Sequence, residues 1–292
     1  MTSPALTPLR RGQLSVSAAA VAWGIGGAAA AELFRISGLG PMAVSFWRFA
    51  IAAIILTAPK LLDHGPLRPA GSARGLTSVL VGTALAVYQT AYFGAVQEAG
   101  LALGTLVALG TSTLLVSVGA HLFLGERLSR RGTAATGLAL IGLVILVAHP
   151  VSGPHPFAGV LLALVSGIGY SAVTLWARRS EATSASPATW GAGALCLLPF
   201  ALAEGVRPHA ENAVESVTWL LFLGVVPTLL AYRWYFKGLV TVPSTTAAVL
   251  VLLEPATAAL LAVALGERIS VSLAVGSVLL LSAVAVLARD RS

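Results

Sequence analysis

The amino-acid sequence predicts an all-α membrane protein in which ten transmembrane helices form two inverted five-helix repeats, and three observations predict it. The first is composition: of 292 residues, 57% are hydrophobic and 10% charged, and the mean hydropathy is +0.89, whereas about a quarter of a soluble domain is charged. Eighteen basic and eleven acidic side chains cannot clothe a soluble surface of this size, so lipid must cover it. The second is duplication: Leu-Gly-Glu-Arg-Leu-Ser at Leu124 to Ser129 returns as Leu-Gly-Glu-Arg-Ile-Ser at Leu265 to Ser270, 141 positions later. The third is charge. One alternating set of loops holds 13 basic residues (Arg10, Arg11, Lys60, Arg68, Arg74, Arg127, Arg130, Arg131, Arg178, Arg179, Lys237, Arg289 and Arg291), and the other holds Arg35, Arg207 and Arg268. Basic loops stay cytoplasmic, so both termini are predicted there. Five helices is an odd number, so the second repeat enters from the opposite side and the two Leu-Gly-Glu copies end on opposite faces.

Apolar runs of spanning length place the helices in order. The first, Leu14 to Ala31, follows the basic anchor Arg10-Arg11; its apolar stretch exceeds a signal-peptide core, which predicts an uncleaved helix. It carries Trp23-Gly24-Ile25-Gly26, echoed 143 positions later by Ser166-Gly167-Ile168-Gly169 in the sixth helix. Glycines at such points let backbones approach and bend, and Trp23 and Tyr170 stand beside them. The second, Met42 to Ala58, contains Arg48, read as a residue that snorkels outward or pairs with backbone to fix the helix edge, or as a fork that clamps a substrate carboxylate. In the third, Gly75 to Val96, residues Leu85, Tyr88, Gln89 and Tyr92 share one face by the spacing i, i+3, i+4, i+7. Phenols and an amide there make an adaptable wall for zwitterions with varied side chains, or pack between helices with satisfied hydroxyls.

The fourth helix, Leu101 to Leu124, carries Gly110-Thr111-Ser112-Thr113 at mid-span; these hydroxyls suit a cavity or bond back to the preceding turn. The fifth, Gly132 to Ala148, ends at Pro150-Val151-Ser152-Gly153-Pro154-His155-Pro156, which helix cannot cross. That segment divides a first repeat, 1–149, from a second, 150–292. The sixth runs from Phe157 to Trp176 and the seventh from Ala188 to Ala203. The eighth, Val217 to Phe236, contains Pro227, read as a kink, and ends in Tyr232, Trp234 and Tyr235 beside Arg233 and Lys237. That cluster, like Trp176 beside Arg178 and Arg179, reads as an interfacial aromatic belt. The ninth, Pro243 to Leu265, encloses Glu254-Pro255, and the tenth runs from Val271 to Ala288.

Glu254 is the one carboxylate well inside a predicted span. It reads as a proton-coupling or amine-binding group, because a carboxylate in low dielectric demands a proton or a cation. It reads equally as a structural acid bonded to backbone that Pro255 has freed.

Together these residues resemble the EamA-type branch of the drug/metabolite transporter superfamily. The resemblance rests on Arg48-Phe49, on Glu254-Pro255, and on both Leu-Gly-Glu copies within a duplicated chain. The first repeat departs at Thr113-Leu114, where Glu-Pro would stand, and at Ala135, the counterpart of Gly276. Specialised halves follow, with any acid-linked chemistry in the second. The resemblance implies a carrier with a central cavity lined by the fourth and ninth helices and parts of the first, third, sixth and eighth. In length and general look the chain is similar to the exporters of amino acids, including aromatic ones, which implies export across the bacterial inner membrane by alternating access.

The candidate substrate contacts are therefore Trp23, Tyr88, Gln89, Tyr92, Thr111, Tyr170 and Glu254. The sequence has no Gly-x4-Gly-Lys-Ser/Thr, and four of its five histidines, His121, His149, His155 and His209, lie near predicted ends or in loops without metal-ligand spacing, so neither a cofactor nor a metal is expected. The single cysteine, Cys196, excludes an internal disulfide. A net charge of +7 concentrated in cytoplasmic loops points to anionic lipid as partner, not nucleic acid. One chain holding both repeats is expected to work as a monomer on a small-molecule substrate. The alternatives are export of drugs or other metabolites by the same fold, or a membrane-embedded enzyme acting on lipid. The latter would need a Ser/His/Asp grouping or acidic metal cluster that is not found in the sequence.

Overall fold

The computed structural model describes residues 7–62, 72–99, 101–127, 129–146, 154–180, 186–264 and 271–288. Helices α1 (Pro8–Ser37), α2 (Pro41–Leu62), α3 (Ser72–Ala99), α4 (Leu101–Leu124) and α5 (Arg130–Leu146) form the first repeat. In the second, α6 (Pro156–Arg179) and α7 (Pro187–Glu204) precede an eighth span built of α8 (Ala213–Gly224), a π-helical turn (Val225–Leu230) and α9 (Ala231–Leu239). The ninth span is broken into α10 (Ser244–Val251) and α11 (Leu253–Ala264), and α12 (Val271–Ala288) is the tenth. Six of the described helices are long and apolar enough to cross a bilayer unaided. The broken and shorter ones complete the ten.

Packing obeys the two-fold relation between repeats. Helix α1 lies against α9 and α11 of the eighth and ninth spans, as α6 lies against α3 and α4; α3 packs on α7 as α8 packs on α2; α2–α7 and α5–α12 are self-related pairs. The glycine echo explains two of these approaches. A Cβ on Gly24 would stand 2.6 Å from the Glu254 carbonyl oxygen and 2.7 Å from Thr257 Cβ, and one on Gly167 would stand 2.9 Å from both the Ala108 carbonyl oxygen and Thr111 Cβ. Such distances exclude any side chain, so these glycines are packing residues, and they set the centre of each repeat against the other. Leu80, Phe123, Leu195, Phe200 and Val278 point outward, as lipid-facing residues should.

Polar links tie the two ends of the bundle. At one end the backbone of His209 donates to the Ser37 carbonyl at 2.9 Å, Asn212 Nδ2 donates to the Ile36 carbonyl at 3.0 Å, and Ala43 N donates to Glu204 Oε2 at 2.8 Å. His155 Nδ1 lies 2.8 Å from Glu98 Oε2 at that end of α3 and α6. At the other end the first Leu-Gly-Glu motif finds its purpose. Gly125 adopts φ 65°, a left-handed conformation that terminates α4, and Glu126 turns back so that its N–H donates to the Ala120 carbonyl at 3.1 Å. The Glu126 carboxylate then accepts from Arg178 Nε at 3.0 Å and from Ser244 N at 2.8 Å and Oγ at 3.1 Å. Arg178 Nη1 donates to the Leu239 and Val240 carbonyls at 2.8 and 2.6 Å. Four helix ends, those of α4, α6, α9 and α10, meet on this one pair. The second Leu-Gly-Glu copy and most of the repeat linker lie outside the described residues.

Pro227, expected to interrupt its helix, sits in a widened π turn, where Thr228 Oγ1 donates to the Leu223 carbonyl five residues back at 2.7 Å. Two sequence expectations are corrected here, both concerning the aromatic belt. The α9 aromatics are not a belt. Tyr232 and Tyr235 are 3% and 1% exposed, since Tyr232, Tyr235, Phe236 and Leu239 form an i, i+3, i+4, i+7 stripe that faces inward while Arg233 and Lys237 face out. Trp176 is partly buried against the same core, and Arg178 is the inward-turned partner of Glu126 and not an interfacial anchor.

Candidate functional site

A central cavity of about 280 Å³ lies on the seam between the repeats. Its walls come from α1 (Trp23 to Phe34), α2 (Arg48), α3 (Tyr88, Gln89, Tyr92, Phe93 and Val96), α4, α6 (Ser166, Gly167 and Tyr170), the π turn with α9 (Pro227 and Tyr232), and the broken ninth span (Val251 and Glu254). From Trp23 and Tyr88 the lining advances toward the C-terminal ends of α1 and α3, so the cavity extends toward the bundle end that carries His209 and Glu204.

Its floor is aromatic. Trp23 stands edge-on to Tyr232 with ring centres 5.1 Å apart and lies 5.3 Å from Tyr235; Tyr235 lies 6.0 Å from Tyr170, which meets Tyr88 edge-on at 5.7 Å. Edge-to-face pairs of this kind add about 0.5–1.5 kcal/mol each beyond burial. Trp23 Nε1 donates to the Pro227 carbonyl at 2.8 Å, and Thr174 shares a hydrogen bond with Tyr235 Oη at 2.9 Å. The Tyr170 hydroxyl is buried with no hydrogen-bond partner of normal geometry. Tyr92 Oη and Thr105 Oγ1, 3.0 Å apart, join α3 to α4 along the wall.

Two charges face this space. Glu254 occupies the first turn of α11, directly after the break at Leu252, whose N–H bonds to the Val249 carbonyl in a tightened turn at 3.1 Å. Leu252 keeps a right-handed backbone (φ −67°, ψ −1°), and Pro255 cannot donate to the Val251 carbonyl, so the helix is interrupted in its hydrogen bonding beside Glu254. Broken helices of this kind are tolerated where they border a cavity. Arg48 is the residue that sequence reasoning misplaced: it is 7% exposed, does not snorkel, and donates its Nε to Thr228 Oγ1 at 3.0 Å. The acceptor is 180 positions away, on the π turn, so no pattern within α2 could have revealed it.

Of the candidate contacts, the structure brings Trp23, Tyr88, Gln89, Tyr92, Tyr170 and Glu254 together around one space. Thr111 is absent from the lining and packs against Gly167, while its neighbour Ser112 faces the cavity and bonds back to the Leu109 carbonyl at 2.9 Å. Tyr232 joins the site unforeseen; the inward stripe of α9 was the signal that could have found it.

An aromatic-walled cavity with a charge of each sign, enclosed between repeats that pack by a two-fold relation, defines a membrane transporter. The chain belongs to the EamA-like transporter family, which matches residues 10–148 and 157–289. It is 31% identical over 207 residues to the uncharacterized transporter YwfM of Bacillus subtilis (69% of each chain). It is 29% identical over 199 residues to a Salmonella typhimurium protein named as a probable amino-acid metabolite efflux pump (63% of this chain, 65% of that one). A solved crystal structure matches with TM-score 0.78 at 24% identity, over 95% of this chain and 98% of the other; that likeness speaks to the fold alone. The protein is a membrane transporter of small metabolites.

Proposed function

We propose that the protein exports amino acids, aromatic ones included, across the bacterial inner membrane by rocking its two repeats, 1–149 and 150–292, about the central cavity. The observation that carries this reading is the cavity itself: about 280 Å³, at the small end of the roughly 300–1,000 Å³ of small-molecule sites, with opposite charges in an aromatic wall. That size suits one amino acid better than a multi-ring drug. The relative named for amino-acid metabolite efflux lends the same reading support. Substrate contacts are Trp23, Tyr88, Gln89, Tyr92, Tyr170 and Glu254.

With both termini in the cytoplasm, the cavity extends outward, and the aromatic floor and the Glu126–Arg178 link close the cytoplasmic side. Exposure to the cytoplasm then requires that link to part and α9 to swing from α1 and α6. A single chain supplies both halves, so a monomer suffices. In this reading Glu254 exchanges a proton for substrate; Arg48 from α2, Tyr92 from α3, Tyr170 from α6 and Tyr232 from α9 share its cavity.

The test is uptake of radiolabelled amino acids into proteoliposomes, against protein-free vesicles, with and without an imposed pH gradient. Accumulation above background in response to the gradient is expected, and the uptake that Glu254→Gln retains should no longer respond to the gradient. Equal gradient dependence in variant and parent would remove Glu254 from coupling. A panel that yields no uptake, alongside uptake of other small metabolites or drugs, would overturn the amino-acid reading.

A further inference from the structure

The π turn and the buried arginine account for each other. Pro227 lies within the π turn of the eighth span, and this turn offers two acceptors to side chains that line the cavity: the Pro227 carbonyl, taken by Trp23 Nε1, and Thr228 Oγ1, taken by Arg48 Nε. Thr228 is itself held by the Leu223 carbonyl, so its lone pair is fixed in direction. The Arg48 side chain is thus clamped through Nε alone. Its two terminal nitrogens make no hydrogen bond among the described residues, and neither does the Glu254 carboxylate; none of these atoms is sealed from the cavity they line.

A guanidinium removed from bulk water with its fork unused is an expensive object, and the fork matches a carboxylate with two parallel hydrogen bonds. We propose that Arg48 reads the substrate carboxylate, oriented for it by Thr228 in the π turn, while Glu254 takes the ammonium group, so that the carrier selects small zwitterions. Arg48 belongs to the first repeat and Glu254 to the second, so one zwitterion neutralises both charges and bridges the two moving bodies. A decarboxylated amine leaves the guanidinium unpaired, and a deaminated acid leaves the carboxylate unpaired. Sites built on paired polar groups discriminate strongly against analogues that lack one of them.

This assignment rests on the amino-acid reading above and names its specificity residue. The test compares initial uptake of phenylalanine, phenethylamine and 3-phenylpropanoate, which share the ring and differ in charge, by parent, Arg48→Gln, Arg48→Lys and Thr228→Val in proteoliposomes. The parent should move phenylalanine at least tenfold faster than either analogue. Arg48→Gln should lower phenylalanine uptake at least tenfold and bring its ratio to phenethylamine below threefold. Arg48→Lys should keep part of the preference, and Thr228→Val, which leaves the charge in place but unclamped, should lose threefold or more of it. A parent ratio retained in Arg48→Gln overturns the role of Arg48 while leaving amino-acid transport standing. If Arg48→Gln does not reach the membrane, the ratio in Thr228→Val decides in the same way. A parent that moves none of the three compounds but moves other metabolites overturns the amino-acid reading and this assignment together.

Discussion

Single residues at membrane depth carry the chemistry of this protein because each polar atom there must meet a partner. Gln89, Tyr88 and Tyr92 were placed by helical spacing alone and do line the cavity, since a face of period 3.6 survives any packing that uses it. Tyr88→Ala and Tyr92→Ala should change the order in which substrates compete for uptake, with melting temperatures close to the parent's; an unchanged order with lost stability would return both to packing. Tyr92→Phe removes the bond to Thr105 and should cost about 1 kcal/mol in thermal stability, with a smaller effect on selectivity than removal of the ring. Arg48 resisted the same reasoning. Its partner Thr228 lies on another helix in the other repeat, and neither sequence neighbourhood names the other.

At the scale of elements, glycine and proline fix geometry that side chains then use. Gly24 and Gly167 hold α1 and α6 against the ninth and fourth spans, so Gly24→Ala and Gly167→Ala each place a methyl where backbone and threonine already stand. Overpacking of this kind typically costs about 1–3 kcal/mol; a melting series on the purified protein should show both variants destabilised and Gly27→Ala, which faces open space, close to the parent. Pro227 acts differently. It was visible as an interruption of the eighth span, yet proline alone does not specify a π register. There the Thr228 hydroxyl and Trp23 bond the Leu223 and Pro227 carbonyls.

For the whole molecule, the link at the Glu126 end joins four helices from both repeats through one partly buried pair. Arg178→Gln leaves the Glu126 carboxylate without its cation and should destabilise the present packing by about 1.5–3 kcal/mol, the range for hydrogen bonds to charged groups. The readout is labelling of a cysteine at Ala177, buried beside the link, in a Cys196→Ser background; a membrane-impermeant maleimide applied to the face that carries the Glu126 end should react severalfold faster when Arg178→Gln is present. Equal rates would mean that the pair supports the helix ends without holding that end of the bundle shut.

Hydropathy, the repeated Leu-Gly-Glu and the alternation of basic loops were enough to specify ten helices and two repeats, because each is a property of local composition or of order along the chain. They singled out Glu254, too, as the one carboxylate well inside a predicted span, with a binding and a structural reading both open. Packing alone settled which faces meet. It turned the α9 tyrosines inward and left Thr111 against a glycine. It also brought a π turn of the second repeat under an arginine of the first, because long-range contacts depend on how repeats are laid together in space, and that arrangement leaves no periodic trace in either segment.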